Sequence, residues 1–322
     1  MKLSRRRFLQ AAAVCLAAPS IARAQTYPAR PVRILVGFPQ GGPVDIAART
    51  IAPWLTERLG QPFVVENRPG ESGNLATGEA LKTAPDGHTL LLCGPVNAIN
   101  TTLFPRLDFN FTRDTTPVAG ISRVPLLVEV NPAVPIRSAA EFLAYAKANP
   151  GKLKVAYAGN GTPQHIGIEL FKMMAEVDLT LVPYLGSTPA IADMLKGVVD
   201  AMFDPMPSSI GLVREGKLIP LAVTGPKRSP ALPDVPVMSD FVSGYEADSW
   251  FGIVAPKSTP ADIVNRLNSE VSAGLSDPAM AQRLAALGAT PMPLSPAEFA
   301  RFIARETDKY ERVIRATKIP LK

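Results

Sequence analysis

The residues of this sequence that could do chemistry are glycines at strand ends rather than reactive side chains. One group is FPQGGPVD, residues 38–45, which follows an apolar run ending at Val36 and precedes a helical pattern of apolar residues. A second group, AGNGTPQH at residues 158–165, has the same order of strand, glycines, proline and helix. Glycines let main-chain N–H groups come close to a ligand, and the first turn of a helix leaves such groups unpaired. The two corners therefore predict a site for a phosphate, a cofactor or a carboxylate.

These corners need strands and helices to position them, and the sequence alternates between the two. Helical patterns with start signals such as Ser138-x-x-Glu141 separate nine apolar runs. The alternation predicts an α/β fold with mostly parallel pairing. Ligands bind at the carboxyl ends of strands in such sheets, so we expect the two corners to face each other across a cleft. The predicted strands are 31–38, 62–66, 88–93, 117–130, 153–158, 179–184, 198–204, 218–224 and 249–255.

Reactive side chains give little support for catalysis or for a metal site. Neither His88 nor His165 has a nucleophile or a carboxylate at a familiar spacing, and two histidines with a cysteine make no known metal cluster. The glycine corners match neither the dinucleotide-binding nor the P-loop pattern. We therefore expect no enzyme activity, no cofactor and no metal. An exported hydrolase or lyase that uses Cys93 or His165 in the same cleft stays the alternative.

The first 24 residues have the pattern of an export signal. Ser4–Leu9 reads SRRRFL, a short apolar segment follows from Ala11 to Ala18, and Ala22-Arg23-Ala24 resembles a cleavage site. The apolar segment is shorter than the roughly 20 residues that span a bilayer. We predict a twin-arginine signal peptide over 1–24, cleavage near Ala24, and a periplasmic product that does not itself span the membrane.

Removal of this leader changes the interpretation of charge, cysteine content and size. The net charge of the 322-residue chain is +6, and five of its cations lie in residues 1–24, which hold no acid, so about +1 remains. The high pI is therefore no evidence for nucleic-acid binding. Cys93 would be the one remaining cysteine, which excludes an intrachain disulfide, and its place after Leu90–Leu92 predicts a buried strand end. The remaining length exceeds what one core usually organises, so we expect two domains in a monomer.

Several motifs, in their order and spacing, resemble the periplasmic solute receptors of tripartite tricarboxylate transporters, the Bug/TctC-type family. The resemblance runs from Tyr27 to the C-terminal helix. It implies a two-domain, flytrap-like fold of the periplasmic-binding-protein type II kind, with domain one at 25–126 plus 250–322 and domain two at 127–249. The motifs are FPQGGPVD, ENRPGESGN (66–74), LFPRLDFNFTRDTTPVAG (103–120), AGNGTPQH, VPYLGSTPAIADMLKGVVDAMFD (182–204) and SWFGIVAP (249–256).

The resemblance also implies a small carboxylate, held between the domains by amides, hydroxyls and waters and passed to membrane permease subunits. Delivery to a membrane sensor kinase is an alternative partner role. Asp45 is interpreted as a capping acid rather than a contact, since an acid beside a bound anion is unfavourable. The ligand-binding candidates are Phe38, Gly41, Gly42, Asn67, Gly70, Glu71, Ser72, Gly73, Asn97, Asn160, Gly161, Thr162, Gly186, Ser187 and Asp204.

Some positions depart from the family pattern and concern the identity of the ligand. Glu71 stands where a small residue is common, Gln40 where proline or alanine is common, and Asn97 where a histidine is common. A carboxylate at Glu71 would repel a second ligand carboxylate by roughly 4 kcal/mol at about 4 Å and an effective dielectric of 20. One hypothesis is therefore a monocarboxylate with a neutral or cationic distal group. The alternative is that Glu71 faces water or pairs with Arg68.

Overall fold

A computed structural model describes residues 27–317 and 319–322, so the predicted leader and its cleavage site lie outside the described residues. All nine predicted strands are present, and a short tenth strand joins them. The strands are β1 (Val32–Val36), β2 (Phe63–Asn67), β3 (Thr89–Cys93), β4 (Thr115–Val130), β5 (Lys154–Tyr157), β6 (Thr180–Pro183), β7 (Ala201–Pro205), β8 (Ile219–Val223), β9 (Asp248–Pro256) and β10 (Thr290–Pro291).

Helices follow most of these strands, as the alternation predicts. Short 3-10 turns also lie at Glu71–Gly73, Met206–Ser208 and Met238–Asp240. The helices are α1 (Pro43–Leu59), α2 (Asn74–Leu81), α3 (Pro95–Leu103), α4 (Phe111–Asp114), α5 (Ala139–Ala148), α6 (Pro163–Ala175), α7 (Ser187–Leu195), α8 (Ile210–Arg214), α9 (Ala261–Ser276), α10 (Pro278–Ala286) and α11 (Pro296–Thr317). Among the described residues, no helix combines the length and the apolar character that a bilayer crossing needs.

The sheet order is β2-β1-β3-β9-β4-β7-β5-β6, with β8 and β10 both paired to β4. Pairing is parallel where β1 meets β2 and β3, and where β5 meets β6 and β7. Every pair that includes β4 or β9 is antiparallel. The expectation of mostly parallel pairing is therefore wrong. It overlooked the two central strands, β4 and β9, which are antiparallel to each other and to their other neighbours.

The long strand β4 connects two separate hydrophobic cores. Its residues 115–125 pair with β9, and its residues 126–130 pair with β7 and β8. The first core packs α1 and α9 against β1, β3 and β9. The second core contains Phe142, Phe171, Phe203 and Tyr245, whose neighbouring ring centroids lie 5.4–6.2 Å apart. Each such ring contributes about 1.5–3 kcal/mol by burial, so each core has its own source of stability.

Candidate functional site

The starts of several helices converge on one small cavity between the two cores. Gly42 and Gly94 precede α1 and α3 on the side of the first core, while Thr162 and Gly186 precede α6 and α7 on the side of the second. The cavity has about 30 Å³ of room, enough for roughly two water molecules. Its lining residues are uncharged: Phe38, Gly42, Pro43, Val44, Gly94, Pro95, Val96, Ala158, Thr162, Pro163, Gln164, Ser187, Pro205, Ser249 and Phe251.

At the first corner, the amides that the sequence singled out already have partners. The N–H of Gly41 donates to Asp45 Oδ2 at 2.9 Å, and the N–H of Gly42 donates to the carbonyl of Pro39 at 3.3 Å. Pro43 has no amide hydrogen, so the first-turn donors of α1 are the amides of Val44 and Asp45. Both glycine amides are thus paired within the corner in this conformation, and their contact with a ligand stays a prediction.

Asp45 stabilises the same corner by hydrogen bonds. Its buried carboxylate accepts the Gly41 amide, pairs with Arg49 at 2.9 Å and accepts a hydrogen bond from Asn67 Nδ2 at 3.0 Å. Burial opposes ionisation of Asp45, but these hydrogen bonds outweigh it and lower the pKa of the carboxyl. Asn67 also donates to the carbonyl of Phe38 at 2.9 Å. Asp45 and Asn67 thus hold the loop that carries Phe38, and neither lines the cavity.

At the second corner, the hydroxyl of Thr162 caps α6. Thr162 Oγ1 accepts from the N–H of His165 at 3.3 Å and donates to the carbonyl of Gly159 at 2.8 Å. The Gly161 amide donates to His165 Nδ1 at 3.3 Å, and Asn160 Oδ1 accepts from Tyr157. These groups hold the corner together, and the grip of Asn160, Gly161 and Thr162 on a carboxylate stays a prediction.

The side chains proposed for an enzyme in the same cleft are inert. Cys93 is fully buried, its thiol donates to the carbonyl of Gly252, and burial raises the thiol pKa well above its ordinary value. His165 stacks on Tyr157 with ring centroids 4.8 Å apart, and burial lowers its pKa to about 4. A thiol that stays protonated and an imidazole that accepts an amide hydrogen make no nucleophile–base pair.

Several polar side chains meet where β6, the start of α7 and the end of β7 come together. The Asp204 carboxylate accepts from Ser187 Oγ at 2.5 Å, from Gln164 Nε2 at 3.0 Å and from Ser208 Oγ. Ser187 and Gln164 line the cavity, and Asp204 lies behind them with no exposed surface. Burial raises the pKa of Asp204 to about 6, although these hydrogen bonds oppose the shift.

The loop ENRPGESGN supports Phe38 from the side away from the cavity. Residues 70–73 all have positive φ, including Glu71 at 48° and Ser72 at 53°. A Cβ at Gly73 would lie 3.4 Å from the Phe38 ring, and Asn100 Nδ2 holds the Ser72 carbonyl at 3.0 Å. The positive φ values, 144° at Gly70 and 83° at Gly73, explain the glycines at these two positions. None of these four residues lines this cavity, but Gly73 lines a smaller cavity beside it that shares Phe38, Val44 and Gly94, so the role of the loop in binding stays a prediction.

Glu71 itself is exposed. Arg68 pairs with Glu66 at 2.8 Å and with Glu79 at 3.3 Å rather than with Glu71. The position of the Glu71 carboxylate, outside the cavity, removes the basis for its expected repulsion of a dicarboxylate.

The corner Gly94-Pro95 was not among the sequence predictions. Asn97 Oδ1 accepts the Gly94 amide at 2.9 Å and thereby caps α3, and Asn97 lines a smaller cavity next to this one. The signal that could have found this corner is CGPVN, which repeats the strand, glycine, proline and helix order of the other two. Phe251 and Ser249 of β9 carry no such signal, because strand residues reach the cavity only through the sheet order.

Solved structures define the class of this protein. It has the α/β fold of periplasmic binding proteins: it superposes on "periplasmic binding protein BugD" with a TM-score of 0.87 and 30% identity, covering 91% of this chain and 99% of that one. On an R. palustris protein, Rpa4515 with adipate, it superposes with a TM-score of 0.89 and 38% identity, covering 91% of this chain and 99% of that one. On MatC (Rpa3494) from Rhodopseudomonas palustris with bound malate, the TM-score is 0.83 and the identity 34%, with 89% of this chain and 100% of that one covered.

The chain belongs to the TctC family, the tripartite tricarboxylate transporter family receptors, whose model matches residues 47–319. This membership confirms the resemblance and the fold expected from the sequence motifs. The protein is a periplasmic solute receptor of a binding-protein family, not an enzyme.

Proposed function

We propose that this receptor captures a small organic carboxylate in the cavity between the two cores and delivers it to membrane permease subunits. The observation that carries the proposal is the convergence of helix starts from both sides on one uncharged cavity. Unpaired first-turn amides and the positive end of a helix favour an anion without a basic side chain. Hydrogen bonds to a charged acceptor contribute about 1.5–3 kcal/mol each, and micromolar affinity needs about −8 kcal/mol. A few amides and hydroxyls are sufficient for such an affinity.

Dicarboxylates are the first ligands to test. Solved relatives hold adipate and malate, and the carboxylate of Glu71 lies outside the cavity, where it opposes neither. Apolar walls formed by Phe38, Val44 and Phe251 would cover the carbon chain of such a ligand. About 30 Å³ is too little room for it, so binding requires the corners to separate and close again. In this motion the two proposed domains, 25–126 plus 250–322 and 127–249, would move apart to admit the ligand and then close on it.

Export belongs to the same proposal. Residues 1–24 would direct the folded chain through the twin-arginine route, and replacement of Arg5 and Arg6 by Lys should leave the precursor in the cytoplasm. Fractionation of cells that express the variant tests this route. Normal export of the variant would contradict the twin-arginine assignment while leaving the periplasmic role intact.

Titration calorimetry with adipate, malate and an aromatic monocarboxylate tests the ligand class. Gln164→Ala removes a buried side chain that lines the cavity, and we expect its affinity for the bound acid to fall at least tenfold, about 1.4 kcal/mol. Glu71→Ala is the matched control outside the cavity, and its preference between mono- and dicarboxylates should not change. Absence of binding by every carboxylate would overturn the proposed function. A changed preference in Glu71→Ala would restore Glu71 as a selector.

A further inference from the structure

The carboxyl group of Asp204 controls the groups that face the ligand cavity without touching the cavity itself. It accepts hydrogen bonds from Ser187 Oγ at 2.5 Å and from Gln164 Nε2 at 3.0 Å, and both of these side chains line the cavity. Gln164 Nε2 also lies 3.3 Å from Ser187 Oγ. Both of these polar side chains that line the cavity, Ser187 and Gln164, therefore donate to Asp204.

A second carboxyl group faces Asp204 from the neighbouring strand. In the β4–β7 register Leu127 lies opposite Asp204, so Glu129, two residues along, is its diagonal neighbour on the same face. Within the described part of the chain, both Glu129 carboxyl oxygens are buried and make no hydrogen bond of ordinary geometry, and the Ser209 hydroxyl beside them opposes the rise of the Glu129 pKa. The other elements packed on Asp204 contribute the uncharged Gln164, Ser187 and Ser208. Burial, together with the neighbouring Asp204, raises the pKa of Glu129 well above its ordinary value.

The ionisation of Asp204 decides what Ser187 presents to the cavity. While Asp204 is ionised, the Ser187 hydroxyl hydrogen points to it, and only the oxygen lone pairs of Ser187 are left for a ligand. Lone pairs repel a ligand carboxylate. Once Asp204 takes up a proton, it can donate to Ser187 Oγ, and the Ser187 hydrogen is free to point into the cavity. The same hydroxyl then donates to a carboxylate.

We propose that Asp204 is a specificity-determining positioning residue whose protonation turns Ser187 from an acceptor into a donor, so that carboxylate binding takes up one proton from water. The inference rests on the proposed function and specifies how its site distinguishes a carboxylate from a ligand with a hydrogen-bond donor. No bond other than this O–H bond is made, and the proton returns to water when the ligand leaves.

The proposal fixes the sign of the pH dependence. Burial already raises the pKa of Asp204 to about 6, and a bound anion next to Ser187 raises it further. The liganded receptor thus holds more protons than the free one. Carboxylate affinity should be highest below about pH 6 and should fall by up to tenfold per pH unit as the pH rises. The fall should end once the pH exceeds the pKa that Asp204 has in the liganded receptor.

Calorimetry of the unmodified receptor with adipate tests the proton uptake directly. Titrations at about pH 7 in two buffers with different ionisation enthalpies give the number of protons bound per ligand. We expect uptake of a substantial fraction of one proton. Adipate binding without proton uptake, and with constant affinity from about pH 5 to about pH 8, would overturn the proposal and leave the receptor function standing. Absence of binding by any carboxylate across this range would overturn both.

Two variants separate this role from simple structural support. Asp204→Asn keeps the shape and cannot ionise. Ser187 and Gln164 donate to the same Asp204 oxygen, so the Asn amide can donate to Ser187 Oγ once the Gln164 amide turns its own oxygen towards Asn. The adipate affinity of this variant should not depend on pH and should exceed the wild-type affinity at about pH 8. Ser208→Ala removes a donor to ionised Asp204, so it should move the wild-type pH profile to higher pH. A folded Asp204→Asn variant, checked by thermal unfolding, that binds adipate more weakly at every pH would refute the proposal. A Ser208→Ala profile that coincides with the wild type would also count against it.

Discussion

At the scale of single residues, Thr162 illustrates how one hydroxyl can hold a corner of the site. It receives the N–H of His165 and donates to the carbonyl of Gly159, so both capacities of the hydroxyl are used at the start of α6. A capping hydroxyl of this kind stabilises a protein by about 0.5–2 kcal/mol. The hydroxyl fixes the position of the amides that follow it, so we expect its main effect to be on stability.

We therefore predict that Thr162→Val lowers the free energy of unfolding by about 1 kcal/mol, because the shape is kept and the cap is lost. Thr162→Ser keeps the cap and is the matched control, which should stay close to the wild type. Urea unfolding followed by circular dichroism measures both. A Val variant with unchanged stability but much weaker adipate binding would show that the hydroxyl contacts the ligand after all.

At the scale of elements, the strand–glycine–proline–helix corners were predictable because each is encoded locally. Positive φ favours glycine, and proline fits the first turn of a helix, so FPQGGPVD and AGNGTPQH predict their own conformations. The direction of a donor is not encoded locally. The Gly41 amide is taken by Asp45 and the Ser187 hydroxyl by Asp204, and the second of these contacts depends on how two distant segments pack. The antiparallel course of β4 and β9 was missed for the same reason.

The corner before α1 also has a predictable response to acid. The hydrogen bonds that lower the pKa of Asp45 below its ordinary value of 3.8 stabilise the folded state while the carboxylate is ionised. This contribution is complete above the ordinary pKa and is lost as the pH falls through the lower pKa of the folded state. We predict that Asp45→Asn reduces stability at neutral pH and weakens the loss of stability below about pH 4. Unfolding curves at several pH values measure this, with the exposed Asp262→Asn as control. Parallel acid profiles for Asp45→Asn and the wild type would contradict the prediction.

At the scale of the whole molecule, small residues allow the two sides of the cleft to touch. A Cβ at Gly186 would lie 2.7 Å from Pro39, and one at Gly161 would lie 2.5 Å from Asn100 Oδ1. Thr188 Oγ1 donates to the carbonyl of Gln40 at 2.9 Å across the same gap. These contacts join the corners on the second-core side to the corners on the first-core side. They therefore belong to the closed arrangement of the proposed domains.

Two glycines with nearly the same backbone provide a matched test of closure. Gly161 has φ 73° and faces Asn100 and Leu103 across the cleft, while Gly197 has φ 75° and a Cβ added there would meet nothing within 4 Å. Alanine at either position suffers the same left-handed strain, about 1–2 kcal/mol, so both variants should lose similar stability. Only Gly161→Ala should also disfavour the closed form. We expect a larger radius of gyration by solution scattering than for Gly197→Ala, and at least tenfold weaker adipate binding. Because a ligand stabilises the form that it binds by about 2.7 kcal/mol at a hundredfold excess over its dissociation constant, saturating adipate should narrow the difference in radius. Equal radii and equal affinities for the two variants would show that closure does not depend on this contact.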